Sequence, residues 1–93
     1  MMAKIHAPKD WNHGAPMEVI GEIDPAGVDY RNGQGTMSGD SYRKMMTLLP
    51  TNGFGVVTFE IHMDSVVLTG CRILAMASGG KLSFVYTDSK PVR

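Results

Sequence analysis

Residues 58–65, "TFEIHMDS", set a carboxylate, an imidazole and a second carboxylate at alternate positions. Successive side chains of an extended strand point to opposite faces. Glu60, His62 and Asp64 then share one face, and Phe59, Ile61 and Met63 share the other. A carboxylate beside an imidazole is the raw material of acid–base catalysis. The same residue types can ligate a metal. Spacing limits both chemistries. Alternate residues stand about 7 Å apart along a strand, too far for neighbouring side chains of the row to bond directly. A metal would need a further ligand from elsewhere, from His6, His13 or Cys71. One neighbour is expected to be the strand over Val66–Ala77, which opens with apolar Val66–Leu68 and carries no histidine or acid. The row is therefore expected to face solvent or a partner, with no metal or other cofactor held.

Other residues invite the same comparison. Cys71 could be a nucleophile if a base activated it. Its phase with Ile73 and Ala75 instead fits a buried thiol packed as a small hydrophobe. Trp11, within "DWNHG" at 10–14, could cap the core or anchor in a partner's pocket, as interface tryptophans do. Trp11 and His13 therefore join Glu60, His62 and Asp64 as candidate partner contacts. Tyr30, Arg31, Arg43 and Lys44 are the candidates for single-stranded nucleic acid, which small barrels bind through aromatics and a basic groove. Glu18, Glu22, Asp24 and Asp29, with no base between them, oppose that chemistry. The glycines in "NGQG" and "SGG" form neither a dinucleotide fingerprint nor a phosphate loop.

The elements that would position these residues can be read from pattern. Residues 1–16 read as an irregular N-terminal arm, with a short strand available over "AKIHA". Residues 17–88 form a single β-rich domain, and 89–93 a C-terminal tail. Met17–Ile23 is a strand, "DPAG" a turn, and Val28–Arg31 a second strand. Asn32-Gly33 is a two-residue hairpin signal that sends the chain back through "GTM". One helix is expected over about 40–49, with Tyr42, Met45, Met46 and Leu49 as its apolar stripe. Ser38, Asp40 or Ser41 would cap it and Pro50 would end it. A meander follows. It consists of a strand over 56–63, a reversal at Asp64-Ser65, the long strand with Gly70 as its bend, a turn at Gly79-Gly80 and a last strand over 82–87. The expected core is Val19, Ile23, Met45, Leu49, Val57, Phe59, Ile61, Ile73, Leu82 and Phe84.

The fold class that results is mainly β, or α+β. It is a small antiparallel barrel or curled sheet of about six short strands, with the helix between the third and fourth.

Composition narrows function by exclusion. The chain has 93 residues, of which 43% are hydrophobic, which rules against wholesale disorder. Nine basic and nine acidic residues balance to zero, which argues against nucleic-acid binding by bulk charge. The single cysteine forms no intrachain disulfide and fits a reducing compartment. No apolar run of membrane-spanning length is present, and the first 16 residues lack a signal peptide's apolar core. A cytoplasmic protein is expected, the cytoplasm being that of any host. Eight methionines in a thin core fit a chain that completes its burial against a protein partner or a second copy. No catalytic constellation stands out. The expected function is a small non-enzymatic binding or assembly protein, of the type found among accessory proteins of bacteriophages and mobile elements, docking on or inhibiting a host protein. The alternatives are a structural subunit of a phage-like assembly, or a small β-barrel that holds a nucleotide or single-stranded nucleic acid.

Overall fold

A computed structural model of the chain describes residues 2–49, 58–77 and 79–92. In chain order its elements are β1 (Ala3–Pro8), β2 (Met17–Ile23), β3 (Val28–Arg31), β4 (Gln34–Ser38), α1 (Gly39–Leu48), β5 (Phe59–His62), β6 (Val66–Ala77), β7 (Lys81–Val85) and β8 (Asp88–Pro91). All pairings are antiparallel. The strand order is β2-β1-β5-β6-β7-β4-β3, with β8 also paired to β6. The sheet is open, with β2 and β3 at the two ends of this order. Of the two forms expected, an unclosed sheet is the one that forms.

β6 joins two half-sheets. Its first half pairs with β5 and β8, and its second half with β7. β7 and β8 run as one line opposite it, since Val85 faces Arg72 and Asp88 faces Thr69. The bend lies at Gly70, where the β5 register slips between Phe59–Cys71 and Ile61–Leu68. Gly70 has φ +66°, a left-handed conformation that only glycine adopts freely. A Cβ there would fall 2.1 Å from Thr87 Oγ1. Two independent constraints thus select glycine at one position.

The β3–β4 hairpin closes as its sequence requires, with Asn32 and Gly33 both at positive φ. After β4 the helix forms over 39–48, within a residue of the expected span. Its buried residues are Ser41 and Met45, and Leu48 packs partly against the core. Met46, expected in the stripe, is 41% exposed. The stripe is rotated because Ser41 turns inward, its hydroxyl donating to the Ser38 carbonyl at 2.7 Å.

Of the expected core, Ile23, Met45, Phe59, Ile61, Ile73, Leu82 and Phe84 are buried, and Leu49 is partly so. Val57 lies outside the described residues. Val19 is 50% exposed. The β1–β2 register shifts between Ile5 and His6, and this irregularity turns Val19 outward. The two extra strands come from the segments expected to be arm and tail. β1 lies between β2 and β5, with Ala3, Ile5 and Ala7 fully buried. The 1–16 arm is irregular only after Pro8. β8 pairs with β6 through its backbone while all four of its residues stay exposed, so it carries no apolar signal. With β1 counted, the helix falls between the fourth and fifth strands.

Phe59 is 1% exposed at the centre of this core. Phe59→Ala is expected to cost about 3–5 kcal/mol, a large share of the stability of a domain this size. Urea unfolding followed by circular dichroism reads it directly.

Candidate functional site

The row Glu60, His62, Asp64 has a neighbour that the sequence left unspecified. It is β1. The ladder between β1 and β5 pairs Lys4 with His62, Ile5 with Ile61 and His6 with Glu60. Ile5 and Ile61 point into the core, which turns Lys4, His6, Glu60 and His62 to the outer face. There the rings of His6 and His62 stack, with centroids 3.7 Å apart and planes 22° from parallel. His62 Nε2–H donates to Glu60 Oε1 at 2.9 Å. The strand spacing was expected to forbid that bond. The spacing of backbone positions holds, but both side chains lean along the strand and close the gap. His62 and Glu60 are each 32% exposed, so the row is a half-buried cluster and not a solvated edge.

Asp64 does not join it. It lies in the reversal after β5, exposed, where Met63 N–H donates to the Val66 carbonyl at 2.9 Å. His13 is exposed in the loop before β2, and no ring contact or hydrogen bond is described for it with the cluster. The sequence offers His6 only as a ligand from elsewhere, with no pairing partner given to β1. Its alternation of small apolar Ala3, Ile5 and Ala7 was the signal that could have found it.

Burial lowers the His6 pKa below the usual imidazole value, and the facing His62 lowers it further. Glu60 opposes this in part, and Lys4 adds to it. The stacked rings lie face to face. Among the described residues no group of three or more His, Cys, Asp or Glu side chains is placed to hold a metal ion.

Around the cluster the outer face is ordered in rows. One row runs Glu22, Lys4, His62, Val67, Lys90 across β2, β1, β5, β6 and β8. The next runs Val19, His6, Glu60, and it is continued on β8 by Asp88, opposite Thr69. Met17, opposite Pro8, extends the apolar end on β2.

The other candidates resolve separately. Trp11 is partly buried. Its Nε1–H donates to the Leu48 carbonyl at 3.0 Å, and its ring meets Phe59 edge-on at 6.1 Å. It caps the core and ties the loop after β1 to the end of α1. Cys71 is buried, its thiol pushed up to about 12 mainly by desolvation. A thiol so held supplies no thiolate nucleophile at neutral pH. Tyr30 and Arg31 line an open groove of about 700 Å³ with Gln34, Thr36, Ser83 and Leu74. Arg43 and Lys44 stand on α1 instead. Arg43 pairs with Asp40, and Lys44 borders a hollow shared with Glu22, Asp24 and Asp40. The four residues proposed for nucleic acid do not converge.

No protein-family model, no curated protein and no solved structure matches the chain. Among the described residues, no helix is long and apolar enough to cross a membrane.

The shift at His6 fixes the sign of a pH effect. A histidine whose pKa is lowered by folding binds its proton more weakly when folded. Its stabilising contribution is whole above the unfolded value of about 6.5. That contribution is lost as the pH falls below this value towards the folded one. The thermal midpoint should drop between pH 7.5 and pH 5. His6→Gln should flatten that part of the profile.

Proposed function

We propose that the chain is a small non-enzymatic protein that docks on another protein through the outer face of β2, β1 and β5. One observation carries the reading. Met17 and Val19, 42% and 50% exposed, stand two residues apart on an edge strand, and Val19 lies opposite His6 of the polar cluster. Apolar side chains bordered by partly buried polar groups have the make-up of a protein interface. An edge strand adds unpaired backbone groups that a partner strand can meet.

A second copy is the simplest occupant. A self-complementary patch closes as a two-fold dimer, and a 93-residue chain gains burial that its own core cannot supply. Docking on a larger host protein, or joining neighbours in an assembly, would use the same face. The cytoplasm is the compartment that a lone reduced cysteine fits. The nucleic-acid reading draws less support, because its three basic residues are split between β3 and α1, and the two on α1 stand among acids.

Sedimentation velocity tests the reading. The wild-type chain should run heavier than its 10.1 kDa monomer. Val19→Asp should run as the monomer, with stability within about 0.5 kcal/mol of the parent, as exposed substitutions usually are. A clean monomer for the wild type at high concentration removes the dimer.

A further inference from the structure

Among the described residues, the ladder that attaches β2 and β1 to the rest of the sheet runs from Lys4–His62 to His6–Glu60. Both ends of this seam hold a histidine, and the two imidazoles are stacked on each other at 3.7 Å. Two neutral rings at that separation are in van der Waals contact. Two charged rings repel, and close to a protein surface the repulsion is several-fold stronger than in bulk water.

The surroundings decide whether that repulsion is relieved. From β5, Glu60 accepts a hydrogen bond from His62 and stands opposite His6. From β1 itself, Lys4 lies beside the pair. From β2, Val19 stands opposite His6 and brings no charge, while Glu22 faces Lys4. Beyond His62 come Val67 on β6 and Lys90 on β8, and Lys90 has Asp88 within 4.0 Å. One carboxylate, Glu60, therefore serves two imidazoles. It can neutralise one charged ring and leaves the second facing a cation. The whole face also changes sign. With neutral rings, Lys4 and Lys90 stand against Glu22, Glu60 and Asp88. With both rings charged, cations outnumber carboxylates.

We infer that this seam is a pH-operated release for the docking face: acidification charges the His6–His62 stack, parts β1 from β5 and withdraws the surface that β2 presents. The inference rests on the docking reading above, and it adds the condition under which docking ends. The device is reversible. It needs no co-reactant beyond protons, and His6, whose hold on a proton is weakened by burial and by the facing ring, takes one only as the pH falls below the ordinary imidazole value.

Amide hydrogen exchange read by NMR on dilute free chain tests the switch without any partner. Protection factors for β1 and β5 are compared with those for β4 and β7 at pH 7.5 and pH 5. Selective loss in β1 and β5 by about tenfold or more is expected, since a fraction of the repulsion between two unit charges at this distance already exceeds that factor. His6→Phe keeps an aromatic ring in the stack and removes its charge. In that variant the selective loss should disappear. His62→Phe does the same from the other strand, and it stands in if His6→Phe does not fold. Equal change in all four strands, or full pH sensitivity in both Phe variants, overturns the switch whatever the assembly state. Sedimentation at pH 7.5 decides the docking reading separately: a monomer there removes the docked dimer and leaves the exchange result to judge the seam alone. Assembly at pH 7.5 that persists at pH 5, with β1 and β5 open, overturns the release.

Discussion

One strand has to serve two half-sheets. β6 pairs with β5 and β8 along its first half and with β7 along its second. It can do so because the chain turns at Gly70, where φ is +66° and Thr87 packs against the bare Cα. Each half-sheet alone would be a few short strands with little to bury. Joined, they share a core in which Phe59, Ile61, Leu68, Cys71 and Phe84 meet residues of β1 and α1. The helix, too short to be stable alone, is held by that core. Trp11 fastens its last turn through the Leu48 carbonyl.

The outer face follows from the same arrangement. β1 enters the sheet beside β5, and the buried pair Ile5–Ile61 fixes its phase. That phase is what brings His6 against His62. A one-residue slip would send Ile5 to solvent and the histidine to the core. The cluster is thus placed by hydrophobic packing on the other side of the strand. It is half-buried, shares one carboxylate between two imidazoles, and sits next to the apolar Met17 and Val19 of the edge strand. A fixed apolar patch next to a titratable group is a sensible arrangement for contact that responds to pH.

The sequence read best where apolar alternation and turn chemistry agreed. "MEVIGEI", Asn32-Gly33, the helix span and the bend at Gly70 all appear at the expected places. It read poorly where the backbone alone carries the structure. β8 buries no side chain, so its pairing with β6 left no pattern to see. β1 offers two alanines and one isoleucine inward, a weak signal bounded by Pro8, and its sequence reads as arm. The site was half legible for that reason. Glu60 and His62 are visible in one short stretch, but their neighbour His6 is 54 positions earlier than Glu60 in the chain, and no local pattern reports a strand pairing of that range. Val19 misled because a register shift, not alternation, sets its side.

The account turns on Gly70 as the bend that lets β6 serve both halves. Urea unfolding of Gly70→Ala measures this most directly. The substitution forces a side chain into a left-handed conformation, at about 1–2 kcal/mol, and drives a methyl group into Thr87. Stability should fall by more than that backbone cost alone, and Thr87→Ala in the same chain should recover only part of it. An unchanged unfolding midpoint in Gly70→Ala would contradict the account.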